Sequence, residues 1–191
     1  MSNIPYLNEW RRLAESGEHE KAKFIYYERL FPEIVNSFRV RYDQVFGSNA
    51  FLISILGFSP EPIILTANAV QPSRHLIVSS ANIEDSIKRI SDYVESSYEL
   101  VTLDDLGFDS IYKQLKEKLI EGTHESVVID ITGGKKSMVC AASIFGKDYN
   151  CNIIYVDFEE YIKELRKPMP GTEYLSIVYD PIKNNPLLFK L

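Results

Sequence analysis

Two short stretches hold the residues whose types and spacing suit binding chemistry. The first is Thr132-Gly133-Gly134-Lys135-Lys136-Ser137. It follows the apolar run Val127-Val128-Ile129-Asp130-Ile131 and leads into Met138, Val139, Ala142, Ile144 and Phe145. The second is Gly57-Phe58-Ser59-Pro60, set between Phe51-Leu52-Ile53-Ser54-Ile55-Leu56 and Ile63-Ile64-Leu65. Each reads as a buried parallel strand, a tight turn and the start of a helix. Such a turn presents unpaired backbone N–H groups and the positive end of a helix, a setting that favours anions. Glycines let a phosphate approach the backbone, and lysines add charge. Lys135 and Lys136 in a first helical turn oppose the helix dipole by about a few tenths of a kcal/mol, a cost that an anionic ligand offsets. The plain alternative is a pair of tight turns with solvated lysines, in which Ser59 and Ser79 are turn residues and Asn68 and Arg74 lie on the surface.

Neither turn has the dinucleotide spacing G-x-G-x-x-G or the phosphate-loop pattern G-x-x-x-x-G-K-[ST]. Nicotinamide cofactors and ordinary nucleotide hydrolysis are disfavoured, and no cofactor is expected. Cys140 and Cys151 lack metal-ligand spacing. Both sit in apolar segments and read as buried, reduced thiols, so no metal is expected. His19, His75 and His124 read as surface residues with no catalytic placement.

These turns need a scaffold, and the chain supplies alternating strands and helices. Strands are expected at 51–56, 75–80, 98–103, 127–131, 152–156 and 174–179. Pro62 suits a first helical turn. Asn82 and Asp109 are candidate caps for helices bearing Ile83, Ile87 and Ile90, and Ile111, Leu115 and Leu119. Gly122 would stop the latter helix. Residues 158–173, with Pro168, Pro170 and Gly171, read as a hairpin-like connection, so the sixth strand is expected to run antiparallel. The order predicts an α/β, Rossmann-like doubly wound, mainly parallel sheet. In it the first and fourth strands are neighbours and both turns face one crevice. Residues 1–48 form an N-terminal helical segment whose aromatic stripe packs on a core or a partner. Residues 49–191 form the Rossmann domain.

At 191 residues with 45% hydrophobic content the chain has one core to fill. A net charge of −6 argues against a broad nucleic-acid surface, so any anion must find a local basic site. No apolar run reaches transmembrane length and no signal peptide is visible, so a cytoplasmic location is expected, with no membrane or DNA partner.

Three separated motifs then resemble one family. They are Gly57-Phe58-Ser59-Pro60-Glu61-Pro62-Ile63; Asp130-Ile131-Thr132-Gly133-Gly134-Lys135-Lys136-Ser137-Met138; and Tyr155-Val156-Asp157-Phe158-Glu159-Glu160-Tyr161 with Arg166-Lys167-Pro168-Met169-Pro170-Gly171-Thr172-Glu173. In this order they resemble the CARF domains of CRISPR-associated proteins, Rossmann-like sensors of cyclic oligoadenylate. The resemblance covers about residues 50 to 183. It implies a homodimer that binds a ring of four or six adenylates in a two-fold pocket, in type III CRISPR antiviral signalling. Gly133, Gly134, Lys135 and Lys136, with Thr132 and Ser137 beside them, would meet phosphate and ribose. Gly57, Phe58, Ser59 and Pro60 would line the base and sugar side.

Three functions stay open on this reading. One is a sensor. Another is a metal-independent ring nuclease, in which Lys136 or Lys135 stabilises developing charge and Ser59 or Thr132 positions a ribose. The third is a scaffold, or a sensor piece, for a separate or fused effector domain, since about ten residues after Pro181 are too few for a domain.

Overall fold

A computed structural model describes residues 4–80, 83–124 and 126–184. Helices α1 (Leu7–Glu15), α2 (His19–Ile25) and α3 (Phe31–Arg41) come first, with a π-helical turn at Tyr26–Leu30 joining the last two. Then follow β1 (Ala50–Ile55), α4 (Glu61–Val70), β2 (Arg74–Ser79), α5 (Glu84–Tyr93), β3 (Glu99–Thr102), α6 (Phe108–Ile120), β4 (Ser126–Asp130), α7 (Lys136–Asp148) and β5 (Asn152–Phe158). The two-residue strands β6 (Tyr161–Ile162) and β7 (Lys167–Pro168), then β8 (Glu173–Tyr179) and α8 (Pro181–Asn184), complete the order.

The main sheet has the order β3-β2-β1-β4-β5-β8. Its first five strands are parallel, and β8 runs antiparallel to β5. The chain winds outward from β1 in one direction and from β4 in the other, so the strand order reverses between them. That is the topological switch point of a Rossmann-like fold. The register pairs Ser54 with Asp130, which brings the carboxyl ends of β1 and β4 level.

Every residue of β1 is buried, as a central parallel strand covered on both faces requires. Its two faces feed different cores. Ala50, Leu52 and Leu56 pack with Phe31, Ile34 and Phe38 of α3, Ile63 and Ile64 of α4, and Ile90 of α5. Phe51, Ile53 and Ile55 pack with Ile111 and Leu115 of α6 and with Met138, Ala142 and Phe145 of α7. Helix α3 thus covers the sheet domain directly. A satellite core joins Trp10, Leu13, Ala22 and Leu30 to Ile162 of the β6–β7 hairpin, with Leu165 and Met169 against it. The late proline-rich motif is therefore the seat of the first two helices. The hairpin leaves the carboxyl end of β5, so this satellite sits at the same edge of the sheet as the two glycine turns.

The structure corrects four local readings. Cys140 is exposed, because it lies on the face of α7 opposite Met138; Cys151 is buried as expected. His75 is buried, not a surface residue: β2 is covered on both faces, and its Nε2 is 3.0 Å from Ser54 Oγ. Burial lowers its pKa to about 3, so the ring is neutral. Asp109 does not cap α6; the cap position is Gly107. Asp105 accepts the Gly107 N–H at 2.8 Å and the Ser110 hydroxyl instead. Asn68 and Arg74 are structural ties rather than solvated surface. Asn68 Nδ2 donates to Ile64 O and Tyr93 O, and Arg74 donates to Lys118 O and bonds Glu99 and Glu121. The proposed cap Asn82 lies outside the described residues. Among the described residues no helix is long and apolar enough to cross a membrane.

Candidate functional site

The two glycine turns touch. A Cβ placed on Gly57 would lie 2.6 Å from the Gly134 nitrogen, and one on Gly133 would lie 2.5 Å from Ile55 O and 3.0 Å from Gly57 N. Contacts this short leave no room for a side chain, so backbone packs on backbone. Gly134 also has φ +88°, a left-handed conformation that L side chains rarely adopt. The turns after β1 and β4 thereby form one continuous lip over the switch point. Helix α4 starts from one side of it and α7 from the other.

A buried carboxylate pins the lip from below. Asp130 ends β4 with no exposed surface. Its Oδ1 accepts the Thr132 N–H at 2.9 Å and the Thr132 hydroxyl at 2.6 Å, and its Oδ2 accepts the Thr66 hydroxyl at 2.9 Å. Thr132 Oγ1 in turn accepts the Val156 N–H at 2.8 Å. The turn is thus tied to α4 through Thr66 and to β5 through Val156. Burial raises the Asp130 carboxyl to about 6, against the three hydrogen bonds that lower it.

All ten residues singled out in the sequence fall on this lip. Phe58, Ser59, Lys135, Lys136 and Ser137 are exposed, while Gly57, Pro60, Thr132, Gly133 and Gly134 are half-buried. Phe58 is about as open as a side chain can be, at 101% relative exposure, so its ring has no packing partner among the described residues. Lys135 is the N-cap of α7 and Lys136 its first residue, and the first turn of that helix holds no acidic residue. Among the described residues neither lysine joins an ion pair. Two cations without an ion-pair partner among the described residues therefore flank a helix N-terminus. The Thr132 hydroxyl has its proton on Asp130 and one lone pair on Val156 N–H, so it is committed to holding the turn.

Sequence reasoning missed two supports. Thr66 is a polar residue fully buried in α4; its place directly after the apolar run Ile63-Ile64-Leu65 was the available signal. The other is Tyr27, in the π-helical turn, whose hydroxyl donates to Glu61 in the first turn of α4. Arg89 stacks over the Tyr27 ring at 3.9 Å, and Tyr93 donates to Tyr27 O at 2.7 Å. Nothing local in the sequence connects position 27 to position 61. Hollows elsewhere on the surface include one of about 620 Å³ between α1 and α2 and one of about 400 Å³ between α1 and residues 159–173. The lip residues line neither. They stand on an open edge of the protomer.

Fold and site together define a Rossmann-like α/β domain with a glycine-lined, lysine-bearing lip at its switch point, the position where open α/β sheets take their ligands. No family model matches the chain. It is 26% identical over 179 residues to the CRISPR system endoribonuclease Csm6 of Thermus thermophilus, a match that spans 90% of this chain and 38% of that protein. Two solved structures share the fold. Can2 from Sulfobacillus thermosulfidooxidans, in complex with cyclic tetra-adenylate, superposes with a TM-score of 0.51 at 16% identity, over 77% of this chain and 40% of that one. Enterococcus italicus Csm6, bound to cyclic hexa-2′-fluoro-hexa-dAMP, gives 0.51 at 15% identity, over 69% and 43%. The chain thus spans about two fifths of the length of the proteins it matches. The sequence relationship and the shared fold support the resemblance to CARF domains.

Proposed function

We propose that this chain is a sensor of cyclic oligoadenylate that binds a ring of four or six adenylates in a two-fold pocket across a homodimer. The observation that carries the reading is the joined lip, where Gly57 meets Gly134 beside a helix N-terminus and two lysines with no ion-pair partner among the described residues. That combination suits a phosphodiester: close backbone approach, free N–H donors and cationic charge in one place. A ring ligand is supported by the two fold relatives, whose structures hold cyclic adenylates or an analogue, and by the sequence relationship to a CRISPR endoribonuclease.

In this account Gly133, Gly134, Lys135 and Lys136 hold phosphate and ribose, with Ser137 beside them, and Phe58, Ser59 and Pro60 face the base and sugar. The exposed Phe58 ring gains a partner when a base or the second protomer covers it. An open lip on each protomer becomes an enclosed pocket only when two copies face each other. Residues 49–191 are then the ring-binding domain. The helices of residues 1–48 tie it to whatever responds in signalling, a separate or fused effector.

The test is incubation with cyclic tetra- and hexa-adenylate, scoring affinity, stoichiometry and products. Binding of one ring per two chains without cleavage supports the sensor. Linear products ending in a cyclic phosphate would make the same crevice a ring nuclease, with Lys136, Ser59 and Thr132 as the residues to substitute.

A further inference from the structure

We propose that Asp130 is a proton-linked positioning residue: its buried carboxyl sets the geometry of the Gly133–Gly134 turn, and an anion seated on that turn binds together with a proton taken up at Asp130. The inference rests on the ring-binding reading above and concerns how that site is held and tuned.

The hydrogen-bond pattern admits both protonation states. With the carboxyl ionised, Thr132 donates twice to Oδ1 and the Thr66 hydroxyl donates to Oδ2. Thr66 Oγ1 also lies 3.1 Å from Ile63 O. With a proton on Oδ2, the carboxyl donates to Thr66 Oγ1, and the Thr66 hydroxyl turns to Ile63 O. Every polar atom keeps a partner, and Thr132 does not move. Protonation therefore leaves the turn in place and removes a negative charge beneath it. The carboxyl has no exposed surface and, among the described residues, no cation bonded to it, so its charge is poorly screened from an anion on the lip. An arriving phosphate disfavours the ionised form and favours the neutral one. The carboxyl's own position, raised by burial to about 6, puts this exchange close to neutral pH.

Among the described residues Asp130 bonds only Thr66 and Thr132, and the neighbouring elements carry other polar and charged groups. Thr66 and Glu61 lie on α4, Ser54 is its register partner on β1, and Lys135 and Lys136 open α7. On β5 are Ile154, its register partner, and Asp157, which accepts from the Tyr174 hydroxyl at 3.2 Å. Glu61 is engaged by Tyr27. Glu173 on β8 is another carboxyl raised by burial, and it accepts the Gly171 N–H at 2.6 Å. Glu173 is the main competing source of a pH effect, so it supplies the control.

The experiment is calorimetric titration of the whole chain with cyclic tetra- and hexa-adenylate, in two buffers of different ionisation enthalpy, from about pH 5 to about pH 8. Wild-type affinity should rise about tenfold as pH falls through this range, which a one-unit rise of the carboxyl's pKa on binding produces. Proton uptake, read from the buffer dependence, should peak between the free and bound values. Asp130→Asn keeps the neutral donor pattern toward Thr66 and should bind with no proton uptake and a flat pH profile. Asp130→Ala removes the pin and should bind more weakly at every pH. Glu173→Gln should retain the wild-type profile.

A merely structural Asp130 would shift the melting temperature but not the protons. Ring binding that is independent of pH in wild type, or equally pH-dependent in Asp130→Asn, overturns the proposal while leaving the sensor reading intact. Failure of both rings to bind at any pH overturns the sensor reading and this one with it.

Discussion

Gly57 and Gly134 meet backbone to backbone, so that a methyl group on Gly57 would stand 2.6 Å from the Gly134 nitrogen. Two turns separated by more than seventy residues in sequence thus act as one surface. Glycine there is a packing requirement between turns as well as a local one.

Substituting either glycine should separate the turns. In Gly57→Ala the new methyl meets backbone, which cannot rotate away. Gly134→Ala adds the strain of a left-handed φ. Each should cost about 1–3 kcal/mol, the usual range for enforced backbone strain. At about 2–4 °C per kcal/mol for a chain of this size, the melting temperature should fall by roughly 2–12 °C. Ring affinity should fall as well. Thermal unfolding and titration of the two variants check this; an unchanged melting temperature and affinity in Gly57→Ala would mean that the turns are not in contact.

The two lysines should contribute unequally. Side chains at adjacent helical positions diverge by about 100°. Lys135 stands at the cap and Lys136 inside the first turn, so one faces the crevice better than the other. We assign the larger role to Lys136. A charge-assisted contact to phosphate carries about 1.5–3 kcal/mol, so Lys136→Ala should weaken ring binding roughly ten- to a hundred-fold and Lys135→Ala less. Calorimetric titration ranks them. Equal losses would show both lysines on the phosphate, and no loss in either would return the turn to a plain structural role.

The pH dependence of stability should show two buried groups working in opposite directions. His75 has its pKa depressed to about 3 by burial, from about 6.5 in an unfolded chain. Its contribution is fully present above pH ~6.5 and is lost as pH falls toward the folded value. Asp130 is raised to about 6, from about 3.9 unfolded. Its contribution is present below pH ~3.9 and is lost as pH rises through about 6. Between about pH 4 and 6 the unfolded chain gains a proton at the histidine while the folded chain holds one at the aspartate, and the two slopes cancel. Asp130→Asn should therefore unmask a stability that rises with pH relative to wild type, by up to ~1.4 kcal/mol per unit in that window. His75→Gln should unmask the opposite slope. Denaturant titrations across the window measure both; parallel profiles for wild type and variants would contradict the assignments.

Much of the frame was legible because strand and turn signals are local. Phe51 to Leu56 announces a strand buried on both faces, and Gly57 to Pro62 its turn. The alternation with helical periods placed β1 beside β4, and the proline-rich stretch before β8 marked the switch to an antiparallel edge. Burial on both faces also hid His75: where every position of a strand is covered, no alternation tells an inward residue from an outward one. Cys140 was legible in principle, since it sits two residues from Met138 and so on the far side of α7. The pin at Asp130 was half visible. Its position before the turn was plain, but its partners Thr66 and Val156 come from elements that only the sheet order brings near. The Tyr27–Glu61 tie is long-range and depends on how the π-helical turn aims one ring.

That tie makes a further prediction. Tyr27→Phe removes a side-chain bond from the N-terminal helical segment to the first turn of α4, while leaving the ring packed against Phe31 and under Arg89. The stability loss should be about 1 kcal/mol, the usual net worth of such a bond. Ring affinity should fall by a few-fold, because α4 carries one side of the lip. A melting curve and a ring titration check it; unchanged values in both would mean that the hydroxyl bond contributes nothing and that the packing of α3 on α4 alone joins the helices to the site.

The central claim is that two copies of this chain enclose one adenylate ring over their paired lips. The most direct measurement is sedimentation of the whole chain, with and without cyclic tetra- or hexa-adenylate, following the nucleotide and the protein together. The account predicts a dimer that carries one ring per two chains, and in Lys136→Ala a higher ring concentration is needed to reach the same loading. A protein that stays monomeric at micromolar concentration with either ring present, or a dimer that sediments free of nucleotide, would contradict it.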